Sequence, residues 1–172
     1  MALREIRKYP DPVLRTKTSR VEHIDSTLDR LIGDMVETMH AAPGVGLAAN
    51  QVGISLQLAV IDLSHREEEE QRHPLLIIIN PEILSMEGSV VDEEGCLSIP
   101  DYAENVKRAA RVKVRALDRT GKTFEIEAEG LLAKALQHEI DHLNGLLFVD
   151  RLSPLKKSLF KRRIKKMLEE KA

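Results

Sequence analysis

The sequence predicts an α+β fold in which antiparallel strands pack around a central helix carrying an H-E-x-x-H motif, followed by a C-terminal helix. Three observations predict it. The periodic segments run in the order helix, several short strands, helix, helix, without the strand–helix alternation of a doubly wound sheet. Two strand-like runs, 111–118 and 123–129, alternate apolar and polar residues on either side of Asp118-Arg119-Thr120-Gly121, which marks an antiparallel hairpin. The length, 172 residues, suits one domain with a sizeable core.

The elements follow in chain order. From residue 25 to about 42, Leu28, Leu31, Ile32, Met35, Val36 and Met39 keep the spacing of one helical face. Asp25 or Ser26 can cap that helix, and Pro43 and Gly44 stop it. Strand-like runs then cover 56–62, 75–80 and 88–92, ahead of the hairpin. The charged stretch 66–71 reads as a solvated loop, and 101–105 as a second loop. A second helix is expected over 130–144, closed by Gly145 in the usual position just past a helix end. A third covers about 154–171, with Pro154 in its first turn. We expect one domain: residues 1–153 form the catalytic part, and 154–172 add a basic helix to it.

Composition narrows the function. Aromatics are 3% with no Trp, too few for a base-stacking platform. The N-terminus lacks the apolar core of a secretion signal, and no apolar run reaches the ~18 residues of a membrane span, so the cytoplasm is the expected compartment, with no membrane partner. Cys96 is the single cysteine and cannot form an internal disulfide. The net charge of −2 hides an asymmetry: residues 154–172 hold eight Lys/Arg against two Glu, while the rest of the chain is acidic.

The chemistry centres on His138-Glu139-Ile140-Asp141-His142. Residues four apart on a helix share a face, so two imidazoles can meet one metal ion with Glu139 beside them as a general base. A catalytic site wants a third protein ligand and one open position. No His follows His142, Glu169 and Glu170 lie in the basic tail, and His23, His40, His65 and His73 fall at helix ends or in loops. Cys96, within Glu94-Gly95-Cys96-Leu97-Ser98, supplies that ligand. Gly44-Val45-Gly46-Leu47-Ala48-Ala49-Asn50-Gln51 adds a close-approach glycine loop ending in an amide donor; no Lys-Ser/Thr follows, so it is not a phosphate loop. Two other readings stay open at this point: a zinc endopeptidase, whose usual downstream ligand is missing, and an interaction module with a closed, structural metal site.

Together these three motifs resemble the peptide deformylase family, in its order and approximate spacing: G-x-G-L-A-A-x-Q at 44–51, E-G-C-L-S at 94–98 and Q-H-E-x-D-H at 137–142. The E-G-C-L-S form and helical C-terminus are similar to the bacterial type I branch. The resemblance implies removal of the formyl group from the N-terminal methionine of nascent peptides. It implies one divalent ion on Cys96, His138 and His142: Fe2+ in the cell, with Zn2+, Ni2+ or Co2+ able to replace it. It assigns Glu139 to proton transfer, and Gln51 with the Leu97 backbone N–H to the oxyanion. It places the substrate against Gly44, Val45, Gly46, Gly95, Leu131 and Ala135, with Ile99 near the rim. It also implies a transient ribosome contact through the C-terminal helix, whose Leu155, Leu159, Ile164, Met167 and Leu168 form a partial apolar stripe among the basic residues. Because all three motifs lie upstream, that helix is expected to be dispensable for action on a short peptide.

Overall fold

The computed structural model describes residues 2–64 and 74–171. The charged stretch 66–71, with His65 and His73, lies outside the described residues. Helix α1 (Ser26–Ala41) is capped by the Asp25 side chain, which accepts from the Leu28 backbone N–H at 2.9 Å. Seven strands follow: β1 (Gly46–Ala48), β2 (Leu58–Ile61), β3 (Leu76–Glu87), β4 (Val90–Cys96), β5 (Ile99–Arg108), β6 (Arg111–Leu117) and β7 (Thr123–Glu129). Helices α2 (Gly130–Leu143) and α3 (Pro154–Lys171) complete the chain. No described helix is long and apolar enough to cross a membrane.

All strand pairings are antiparallel, in a five-stranded sheet ordered β1-β2-β3-β6-β7 and a separate β4-β5 hairpin. Side chains alternate across a strand. In β2, Leu58 and Val60 therefore join α1 residues Ile32, Met35 and Met39 in one core, while Ala59 and Ile61 join α2 residues Leu132, Leu136 and Ile140 in another. Covered on both faces, β2 reads as an unbroken apolar run. A third cluster links the N-terminal segment, the β4-β5 hairpin, the turn at Phe148–Arg151 and α3 through Leu14, Ile99, Phe148, Leu152 and Phe160.

Several boundaries depart from the sequence expectation. The glycine loop contains β1, too short at three residues to show a period. Strand β3 continues to Glu87, past the expected end at 80, because its far half pairs with β6. The expected loop at 101–105 is the middle of β5. In α3 the expected apolar stripe is only partly the attachment: Leu155, Leu159 and Leu168 are exposed, while Ile164 packs beside buried Phe160, which docks the helix.

Candidate metal centre and substrate pocket

Helix α2 enters the molecule between the five-stranded sheet and the hairpin, and residues Glu139–Leu143 are all buried. Two motif residues fix its position. The Gln137 amide bridges to the Ala109 backbone, accepting from its N–H and donating to its C=O, each at 3.0 Å. Asp141 accepts from Arg108 Nη1 at 2.6 Å and from Arg151 Nη2 at 2.7 Å. Arg108 and Ala109 end the hairpin, so Gln137 and Asp141 tie the helix to the element that carries Cys96.

One turn of α2 then brings His138 and His142 together. Their Nε2 atoms are 3.2 Å apart, and Cys96 Sγ lies 3.3 Å from His142 Nε2. Ligands of one tetrahedral ion, bonded at about 2.0–2.3 Å, sit roughly 3.3–3.7 Å from each other. Two of the three donor pairs thus have nearly the spacing a shared ion requires, and all three atoms lie within 4.8 Å of one another. A thiolate with two imidazoles suits a divalent transition-metal ion. His138 Nδ1 donates to Glu94 Oε1 at 3.0 Å, which aims its Nε2 at the site. Burial would lower this histidine, but hydrogen bonds with Cys96 and Glu94 raise it well above the ordinary range, so a bound ion would displace its Nε2 proton. Burial, with His138 and Arg108 nearby, holds His142 well below the ordinary histidine range, so its ring is neutral and able to ligate. The Asn50 amide donates to the His142 backbone C=O at 2.5 Å.

Glu139 lies beside this cluster with its Oε1 buried and without a hydrogen-bond partner among the described residues. Burial pushes its carboxyl up to about 7, against the pull of the His138 and Arg108 charges. Glu94 goes the other way. Burial alone would raise it, but hydrogen bonds from Arg108 and His138 hold it at about 2. Two carboxyls in one site thus divide into one that can gain and lose a proton near neutral pH and one that stays ionised. Gly46 lets the backbone approach this carboxyl closely: a Cβ there would come within 2.9 Å of Glu139 Cδ and push the side chain aside.

A cavity of about 570 Å³ opens over these groups. Gly44, Val45, Gly46 and Gln51 line one side, Gly95, Cys96, Leu97 and Ile99 the other, and Leu131, Ala135, His138 and Glu139 the floor. His142 sits behind them and is not part of the lining. The structure therefore gathers every candidate site residue read from the sequence in one place. Gln51 is held by the Ala48 N–H on its Oε1 at 2.9 Å, while its Nε2 donates to Ser98 Oγ at 3.0 Å. Its second proton is directed at Cys96 Sγ at 3.6 Å, a weak contact that a ligand oxygen can replace. The sequence reading missed the supporting shell of Glu94, Arg108, Asp141, Ser98 and Asn50. The usable signal was that Glu94 and Asp141 lie within motifs yet had been given no task.

Residues 3–158 match the family model for polypeptide deformylase. A peptide deformylase from Syntrophobacter fumaroxidans is 56% identical over 170 residues, covering 99% of this chain and 98% of that protein. The crystal structure of a peptide deformylase from Legionella pneumophila superposes with a TM-score of 0.88 at 50% identity, covering 99% of this chain and 98% of that one. The Ehrlichia chaffeensis peptide deformylase, solved in complex with actinonin, gives 0.89 at 40% identity over 97% of this chain and 98% of that one.

Proposed function

The chain belongs to the polypeptide deformylase family, and on that premise we propose a role for each residue of the site. The enzyme is a hydrolase that removes the N-formyl group from the N-terminal formyl-methionine of newly made proteins, releasing formate. Cys96, His138 and His142 would hold one divalent ion, Fe2+ in the cell, with Zn2+, Ni2+ or Co2+ able to take its place. When bound, that ion supplies Lewis-acid chemistry, lowering the pKa of a water by several units and polarising the formyl carbonyl. The convergence of three donor atoms beside a buried carboxylate at the floor of the pocket is the observation that carries this reading.

The remaining steps belong to the chain's own side chains. Glu139, poised near neutral pH, takes a proton from the attacking water and returns it to the departing amine. As charge develops on the formyl oxygen, the second Gln51 Nε2 proton and the Leu97 backbone N–H donate to it. The methionine side chain enters the apolar slot of Val45, Leu131 and Ala135. Strand β1 is an edge of its sheet. An extended substrate can therefore add along Val45–Gly46 and face Gly95 across the pocket, with Gly44 at its entrance. Residues 1–153 carry this chemistry and 154–172 form an appended basic helix. We assign the enzyme to the cytoplasm, in transient contact with the ribosome through that helix.

The test measures bound metal and formate release together, on formyl-Met peptide and on an unformylated protein. We expect about one ion per chain and formate from the peptide alone. Glu139→Gln should retain the ion and lose at least roughly 10²–10⁴ in rate, the usual weight of a general base. A metal-loaded Glu139→Gln protein of undiminished activity would remove Glu139 from its role.

A further inference from the structure

Tyr102 stands between two parts of the molecule that the sequence reading kept separate. With Asp101 and Ala103 it forms the β5 rim of the substrate pocket, next to Gly95 and Ile99. On its other side it meets the C-terminal helix. The Phe160 ring centroid is 4.8 Å from that of Tyr102, and the Arg163 guanidinium lies over the Tyr102 ring at 5.6 Å. Arg163 Nη2 also donates to the Asp101 backbone C=O at 3.2 Å. Asp101 has a positive φ of 63°, an uncommon conformation for a residue with a side chain, so this carbonyl is presented at a shaped corner. Phe160 is buried and packs in turn on Tyr9, with ring centroids 5.3 Å apart. Two residues beyond Tyr102, Glu104 pairs with Lys156 at 3.1 Å. The rim of the pocket is thus fastened to α3 at three positions, 101, 102 and 104.

We propose that Tyr102 is a specificity-determining residue for the substrate residues that follow methionine, and that Phe160 and Arg163 of the C-terminal helix are its positioning residues. The proposal rests on the deformylase reading of the pocket. The methionine slot and the proton-transfer groups lie on the α2 and β1 side. The part of a longer peptide that continues along the β4-β5 hairpin meets the β5 rim instead. A ring at that rim offers apolar area and a π face to the next side chain. Its own placement is set from behind, by the Phe160 ring packed against it at a tilt of 54° and by the guanidinium above it. The C-terminal helix is then part of the substrate-binding apparatus for longer peptides, and its expected dispensability holds only for the shortest substrates.

The experiment compares formyl-Met amide, which has no residue after methionine, with formyl-Met tripeptides bearing a large apolar second residue. In the full-length, metal-loaded enzyme, Tyr102→Ala should raise KM for the tripeptide by about five- to tenfold and leave formyl-Met amide kinetics unchanged. Tyr102→Phe should match the parent. Arg163→Ala should raise the tripeptide KM by roughly two- to fivefold at constant kcat. In a Tyr102→Ala background it should add nothing, since the coupled residue is gone. Phe160→Leu, which keeps an apolar side chain at that position, provides a second positioning variant with the same expectation. Equal tripeptide KM values in parent and Tyr102→Ala would overturn the specificity role. An undiminished Arg163→Ala effect in the Tyr102→Ala background would overturn the positioning role. No turnover of formyl-Met amide by the parent would instead strike the underlying activity.

Discussion

Arg108 donates two hydrogen bonds, each 2.9 Å long, to the two oxygens of the Glu94 carboxylate, with Arg108 buried and Glu94 nearly so. This pairing keeps Glu94 ionised, held at about 2 despite its burial, and so able to orient His138 through Nδ1. Glu94→Gln should fold normally and hold metal about 10–100-fold more weakly, the usual cost of losing a ligand's hydrogen-bond partner. Arg108→Ala should do worse, because Glu94 and Asp141 would both lose their buried cation; we expect a loss of about 3–5 kcal/mol. Chelator competition measures the first, and urea unfolding the second. Unchanged metal affinity in Glu94→Gln would show that Cys96 and the helix geometry position His138 without it.

Gln51 is subject to a different demand. Its Nε2 is 3.0 Å from Ser98 Oγ and 3.6 Å from Cys96 Sγ, directly beside the pocket. Gln51→Ala should lower kcat by roughly 10²–10³ while KM changes little, as for the loss of one oxyanion donor. Ser98→Ala tests how Gln51 is held: the amide remains but is less fixed, so kcat should fall by less. Steady-state kinetics on a formyl-Met peptide separates the cases. A change in KM alone would make Gln51 a binding residue.

How much of this was legible depends on where the information sits. Helix α1 and the β6-β7 hairpin announce themselves because their burial is one-sided and follows a local period, as with Leu28 to Met39 and Val112 to Ala116. The candidate ligands were legible because a helix turn places His138 beside His142 whatever the rest of the chain does. Strand β5 was hidden. Its burial follows its packing on β4 and α3, and the exposed positions 100–105 hold Pro100, Asp101, Ala103 and Asn105, none of them strand-favouring, so Asp101 to Asn105 reads as a loop. Arg108 was hidden for a related reason. An arginine in Val106-Lys107-Arg108 looks like surface charge until the fold brings it two carboxylates from 14 and 33 residues away. The role of Phe160 needed the same kind of knowledge, since its neighbours Tyr9 and Tyr102 come from distant segments.

Asp62 fastens the end of β2 to the glycine loop, and its ionisation gives the fold an acid limb. Its backbone N–H donates to the Val45 C=O at 2.8 Å, and Oδ2 lies 2.7 Å from His40 Nε2. Burial alone would raise the carboxyl. Hydrogen bonds from the Ser64 side chain and backbone, with His40, outweigh it and hold the group at about 2. A depressed carboxyl stabilises the fold fully above its unfolded value of 3.8, and that contribution fades as pH falls from 3.8 toward about 2. Asp62→Asn should therefore be less stable than the parent near neutral pH, and the gap should narrow below about pH 4. Melting temperatures of both proteins between neutral pH and about pH 3 measure it. A gap that stays constant across that range would assign the effect to shape rather than charge.

The last prediction concerns the outer face of α3. Lys161, Arg162, Lys165 and Lys166 are exposed, whereas Arg163 is engaged with Asp101 and Tyr102, and Lys156 with Glu104. A deformylase must meet chains as they emerge, and ribosomal RNA is a dense polyanion, so this face fits a weak electrostatic contact with the ribosome. Truncating the helix would be a poor test, because it also removes buried Phe160 and the support of the pocket rim. Replacing Lys161, Arg162, Lys165 and Lys166 together with Ala leaves that support in place. The parent should cosediment with ribosomes at low salt and release as salt rises, since each phosphate contact adds about 0.9 to the salt slope. The quadruple variant should cosediment far less and depend less on salt, while its action on a short formyl-Met peptide is unchanged. Equal cosedimentation of the two proteins would exclude this face from ribosome contact and leave α3 with its place behind Tyr102 alone.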